Sequence, residues 1–104
     1  MKFQEEEINI NLIKWLEGWH KRNCDGDWEH RSNVCISTLD NPGWRVKINL
    51  IDTELEEKVF EPIEIEQTED DWVHCKVIDN VFQGVGGSGN LEEILKIFMK
   101  WVIN

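Results

Sequence analysis

The densest group of chemically capable side chains lies between His20 and His30. His20, Cys24, Asp25, Asp27 and His30 fall within eleven positions. Imidazole, thiolate and carboxylate are all zinc ligands, and a thiol with a nearby base is the starting point of nucleophilic catalysis. The spacing supports neither chemistry. No C-x-x-C or H-x-x-x-H pair fixes a coordination geometry. Asp25-x-Asp27 lacks the rest of a calcium loop. Cys24 stands beside Asp25, a poor setting for a thiolate. No Gly-x-Ser-x-Gly elbow or His-Glu-x-x-His segment exists elsewhere. The segment reads better as a turn, with Asp25 and Asp27 bonded to nearby backbone N–H groups and Trp28 anchoring it on the core. No catalytic residue, metal or cofactor is expected. A small metal-dependent or thiol enzyme using residues 20–30 is the alternative class.

Gly84-x-Gly86-x-x-Gly89 matches the glycine pattern of a dinucleotide loop, but its context fails. That chemistry needs a following helix, a parallel return strand and an acidic residue about 20 positions on. Too little sequence follows Gly89 for these. The stretch Gly84–Gly89 reads as a flexible loop that lets the last helix pack close to a sheet.

Charge is the third candidate. The net charge is −10. Between Asp52 and Asp71 there are ten acids against one base, Lys58, so this fifth of the chain carries −9. Such a field repels nucleic acid and membrane phosphates and attracts basic partners. A solvated, solubility-promoting face would use the same residues. Glu64, Glu66, Glu69, Asp70 and Asp71 are the candidate contact acids. Asp25, Asp27 and Glu29 form a second acidic cluster. Trp72 follows the first cluster directly and is a candidate interface anchor. Arg45, Lys47 and Lys76 share a predicted face with Glu64 and Glu66, where cross-strand ion pairs would offset part of the field.

The elements that must carry these residues follow from periodicity. Ile8, Leu12, Trp15, Leu16 and Trp19 form one helical face, capped by Asn9 or Asn11 and ending near Asn23, before the Asp25-Gly26 turn. Residues 33–39 predict a strand with Val34, Ile36 and Thr38 on one side. The turn Asp40-Asn41-Pro42-Gly43 follows. A second strand puts Trp44, Val46, Ile48 and Leu50 inward. A third strand, residues 59–66, puts Ile63 and Ile65 inward, with Pro62 favouring an edge or bulge. A fourth, residues 71–78, puts Val73, Cys75 and Val77 inward and Trp72, His74 and Lys76 outward. Asn90, with Glu93 as a capping-box partner, starts a final helix with the apolar stripe Leu91, Ile94, Leu95, Phe98, Trp101 and Val102. Trp15, Trp19, Trp44 and Trp101 lie on apolar faces and read as core. The expected fold is α+β: a four-stranded antiparallel meander in the order α-β-β-β-β-α, with both helices on one sheet face and the other face open.

Residues 1–104 fit one domain. Met1–Glu7 shows no apolar stretch behind a basic start, which argues against a signal peptide, and no run reaches the roughly 20 apolar residues of a membrane helix. Cys24, Cys35 and Cys75 are odd in number and widely spaced, which fits free, mostly buried thiols in a reducing cytoplasm.

Three blocks carry a resemblance. Cys24-Asp25-Gly26-Asp27-Trp28-Glu29-His30, Thr38-Leu39-Asp40-Asn41-Pro42-Gly43-Trp44 and Gly84-Val85-Gly86-Gly87-Ser88-Gly89-Asn90-Leu91 occur in this order. Together they resemble the bacterial immunity protein 53 family, from about Trp15 to Trp101. The resemblance implies an antidote encoded beside a polymorphic toxin, with a cognate toxin domain as partner, and names no contact residues. Charge and predicted exposure add a mechanism: stoichiometric occlusion of a basic toxin cleft by an acidic surface, with neither nucleic acid nor membrane as partner. A generic adaptor for a basic protein is the remaining alternative. Oligomeric state is not indicated, although Pro62 and nearby charges discourage casual pairing at the third strand.

Overall fold

The computed structural model describes residues 11–104; Ile8 and Asn9 of the expected first helix lie outside them. The elements are α1 (Leu12–Asn23), α2 (Trp28–Arg31), β1 (Val34–Leu39), β2 (Gly43–Asn49), β3 (Ile63–Glu66), β4 (Trp72–Ile78), β5 (Val81–Gly86) and α3 (Leu91–Ile103). The sheet is antiparallel throughout and its spatial order is β1-β2-β5-β4-β3.

This corrects the four-stranded meander. A fifth strand, Val81–Gly86, runs into the stretch Gly84–Gly89 that was expected to be loop, and it enters the middle of the sheet, between β2 and β4. The short helix α2 is also additional. The signal for β5 was present in Asp79-Asn80. These two residues join β4 to β5 with φ of 52° and 61°, and a two-residue hairpin loop of type I′ needs positive φ at both positions. Asp and Asn tolerate that region better than most residues. Glycine content concealed the strand, because Gly84 and Gly86 replace the inward apolar residues that alternation would supply.

Those glycines seat the last helix. A Cβ on Gly84 would lie 2.5 Å from Ile94 Cγ2 and 3.3 Å from Cys75 Sγ. A Cβ on Gly86 would lie 2.8 Å from the Trp72 carbonyl oxygen and 3.3 Å from Ile94 Cδ1. With no side chains there, α3 presses onto β5 and brings Ile94 and Phe98, both fully buried, against Val46, Ile48, Phe82, Val73 and Cys75. Register places these sheet residues on one face, since Val46 and Cys75 both pair with Gly84, and Ile48 pairs with Phe82.

Helix α1 starts at Asn11, whose side chain accepts from the Lys14 amide at 3.0 Å. It lies beside α3. Leu12 is close to Leu91 and Leu95, and Trp15 and Trp19 meet Phe98 edge to face at 6.0 and 5.2 Å between ring centroids. Such aromatic pairs add about 0.5–1.5 kcal/mol beyond their buried area.

The connection from β2 to β3 skips over β5 and β4 at one end of the sheet. It drops Leu50 and Leu55 into the core and sets Phe60 edge-on to Phe82 and Trp101. Residues 59–62 are therefore connection, and the third strand is shorter than expected. It is an edge strand, with Pro62 immediately before it. Ile65 shares the inward face through its pairing with Val73 yet stays 46 % exposed, because α3 contacts β2, β4 and β5 and does not cover the edge.

A Gly84→Ala substitution should destabilise the fold by about 1–3 kcal/mol through overpacking. The loss, measured by urea denaturation, should shrink when Ile94 is also truncated to Ala, as a double-mutant cycle would show.

Candidate functional site

The acids of the sequence resolve into two groups at opposite ends of the sheet. Pairing of Trp44 with Gly86 and of Val73 with Gly86 sets the β3–β4 turn at the same end as the β1–β2 turn and the start of α3. Pairing of Asn49 with Val81 and of Ile78 with Val81 sets the 50–62 connection at the other end.

At the first end, residues 67–71 form a tight turn. The Gln67 and Thr68 amides donate to the Asp71 carbonyl, and the Asp71 amide donates to the Thr68 carbonyl. The Thr68 hydroxyl oxygen accepts from the Asp70 and Asp71 amides. Glu69 and Asp70 project from this turn, exposed, with no side-chain hydrogen bond among the described residues. Glu66, Gln67, Thr68, Glu69, Trp72 and His74 line a concavity of about 450 Å³. Trp72 is half-buried and meets the His74 ring edge-on at 5.2 Å. His74 Nε2 lies 2.8 Å from Glu66 Oε2. Glu64 pairs across the ladder with His74 and is exposed.

Asp71 belongs structurally to a different set. Its carboxylate accepts from Asn90 Nδ2 at 2.9 Å, and the same amide group donates to Glu93 Oε1 at 2.6 Å. Asn90 Oδ1 accepts from the Trp72 amide at 3.3 Å. Asn90 is the one buried polar residue among those described, and its bonds join β4, the acidic turn and α3. It occupies the N-cap position of α3 but makes no side-chain cap bond, so the expected capping box is replaced by a bridge to the sheet. Gly87 completes the seat: a Cβ there would lie 2.2 Å from the Asp70 carbonyl oxygen.

At the other end, the 25–31 turn meets the 50–57 loop. Asp25 Oδ1 accepts from the Asp27 and Trp28 amides, both at 3.0 Å. Glu29 accepts from the Asp25 and Gly26 amides at 3.0 and 2.9 Å. These are the backbone bonds expected for Asp25. Asp27 differs, because its carboxylate pairs with Arg31 at 2.9 Å. Arg31 also reaches Asp52 at 2.7 Å, and hydrogen bonds to Asp27 and then Asp52 raise its pKa. Backbone bonds from Trp28 and Asp27 hold the Asp25 carboxyl below its ordinary range. Trp28 is 1 % exposed and packs edge to face on Trp19 at 5.9 Å, so it anchors the turn on the core. Its Nε1 has no partner among the described residues. The second acidic cluster thus spends its carboxylates on its own turn.

The thiols are arranged for no shared chemistry. Cys75 is buried, and desolvation pushes its pKa up to about 12. Cys24 lies 3.8 Å from His20 Nδ1, but burial first, then the Glu29 and Asp25 carboxylates, raise its pKa, the opposite of what a thiolate nucleophile needs. Cys35 is exposed on the edge strand β1, so "mostly buried" does not hold for it. Among the described residues no group of three His, Cys, Asp or Glu side chains could hold a metal ion, and no helix is long and apolar enough to cross a membrane.

Exposed acids beside the half-buried Trp72 give this end of the sheet the aromatic–charge composition found in protein-binding surfaces. A family model described as Immunity protein 53 matches residues 13–103. The chain belongs to that family: it is an immunity protein that neutralises a cognate toxin. No curated protein and no solved structure matches it.

Two outcomes test this geometry. The depressed Asp25 pKa means that its contribution is present above the unfolded value of about 3.9 and is lost as pH falls through the folded value. Asp25→Asn should therefore lower Tm at pH 7, and the difference from wild type should vanish in melts run progressively below pH 4. Asn90→Ala strands the Trp72 amide and should cost about 1–3 kcal/mol. Hydrogen exchange should then accelerate at Trp72 and across the 67–71 turn before the rest of the sheet.

Proposed function

We propose that the chain neutralises its toxin by stoichiometric occlusion, with the β3–β4 end as the inserted surface. Glu64, Glu66, Glu69 and Asp70 supply the negative field, and Trp72 supplies the apolar anchor. The cognate toxin domain presents a basic cleft, of the kind that handles nucleic acid or another anionic substrate, and the acidic end fills it and excludes that substrate. The observation that carries this reading is the free, outward display of Glu69 and Asp70 on a turn pinned from behind by Thr68, Asn90 and Gly87. A rigid turn loses little conformational entropy on docking, so more of the interaction appears as affinity. Trp72 beside it matches the aromatic–charge composition of interface centres.

Asp71 acts as the support of this turn through Asn90. Asp25, Asp27 and Glu29 act at long range, adding to the field that draws a basic partner in. Opposite charge lifts association toward about 10⁸–10⁹ M⁻¹s⁻¹ at low salt, and an antidote benefits from speed as much as from affinity. The free cysteines suit action in a reducing cytoplasm.

The test is Glu69→Lys with Asp70→Lys, sparing Asp71 because of its bond to Asn90. With the toxin domain encoded beside the gene, association should slow by about tenfold or more at low salt, and its salt dependence should flatten. Protection of cells co-expressing toxin and variant should fall in parallel. Association kinetics equal to wild type would remove this end of the molecule from the interface.

A further inference from the structure

The open face of the sheet is not purely acidic. Arg45 and Lys47 on β2 and Lys76 on β4 all point to it, on either side of Gln83 and Val85 of β5. Lys47 and Lys76 both pair with Gln83, and Arg45 pairs with Val85, so the three cations surround the middle of the central strand. All three are exposed. Cross-strand ion pairs were the expected fate of these side chains, yet none of the three makes an ion pair among the described residues. The one cross-strand ion pair on this face among those residues is His74–Glu66, nearer the acidic end. Arg45, Lys76, His74, Gln83 and Val85, with Glu64 at the edge, line a groove of about 320 Å³.

Acids outnumber basic residues 21 to 11 in this chain, and Glu64 lines the same groove. Arg45 and Lys76 on the groove and Lys47 beside it, with no ion pair among the described residues and on strands that the core holds rigid, form a surface complementary to carboxylates. We propose that this strip docks an acidic segment of the cognate toxin domain. The proposal rests on the toxin-binding reading and extends it: the interface is two-signed, with the acidic turn meeting a basic cleft and the cationic strip meeting carboxylates beside that cleft. A two-signed pattern rejects toxins that share a basic cleft but lack the acids, since misplaced like charges disfavour the wrong partner.

The full-length chain carrying Arg45→Glu and Lys76→Glu, both exposed, should melt within a few degrees of wild type. It should bind the purified toxin domain at least about tenfold more weakly, on the scale set by lost interfacial charge pairs. The sign makes this decisive. The double reversal makes the chain more acidic still, so an acid-only plug would associate faster with a basic toxin; equal or tighter binding overturns the proposal. Carbodiimide treatment of the wild-type complex should join Lys47 or Lys76 to a toxin Asp or Glu, identified by mass spectrometry. Equal acetylation rates of both lysines in the free and bound chain would overturn it. A single-stranded RNA oligonucleotide that binds wild type and not the double variant would assign the strip to phosphate and overturn it as well. The Glu69→Lys, Asp70→Lys chain separates the two readings. Normal binding by that chain, with weak binding by the Arg45→Glu, Lys76→Glu chain, sinks the acidic plug and leaves the cationic strip standing. The reverse pattern does the opposite.

Discussion

The close approach of α3 to β5 is the constraint on which the rest of the molecule depends. Ile94 fits only because Gly84 and Gly86 present bare backbone to it. This contact lets a short helix bury Ile94 and Phe98 over the middle of a five-stranded sheet, and α1 then has a surface on which to lay Trp15 and Trp19. In a chain of this size the buried fraction of surface is modest, so the distance between one helix and one strand decides whether a continuous core exists. The same glycine-rich segment continues into Gly87, which admits the Asp70 backbone. Core packing and the display of the acidic turn are therefore one construction.

Asn90 shows how that construction reaches the surface. A buried amide with partners on β4, the turn and α3 makes the turn part of the rigid body, since a buried polar group left without its partners is costly. Asp71 is consumed in this bridge, which leaves Glu69 and Asp70 as the residues that face outward. At the opposite end Asp25, Glu29 and Asp27 are likewise occupied, with backbone amides and with Arg31. Counting acids along the chain does not distinguish those that hold the fold from those available to a partner.

Much of the local structure was legible. The Asp25 turn with its Trp28 anchor, the hairpin across Pro42-Gly43 and the outward setting of Trp72, His74 and Lys76 each follow from short-range rules: side-chain oxygens near free amides, positive-φ tolerance and two-residue alternation. The missing strand was hidden because its inward positions are glycine, and alternation is recognised by apolar side chains. The fate of Arg45, Lys47 and Lys76 was hidden for another reason. Charges on one face suggest pairing, but whether two side chains meet depends on strand order. Strands β5 and β4 lie between β2 and β3, which sets Arg45 and Lys47 three strand spacings, about 14–15 Å, from Glu64 and Glu66. Lys76 stays on the neighbouring strand and still makes no ion pair among the described residues.

By itself the sequence determined which residues are apolar and where the chain turns, because these are properties of side-chain chemistry and of φ preferences over a few positions. It also carried the family, since three separated blocks preserve an order that local chemistry alone does not demand. Only the tertiary structure decided which strands are neighbours, which acids are spent on the fold and how far the cations of β2 lie from the acids of β3. Those outcomes depend on contacts between residues far apart in the chain, and such contacts are set by the competition of whole elements for one core.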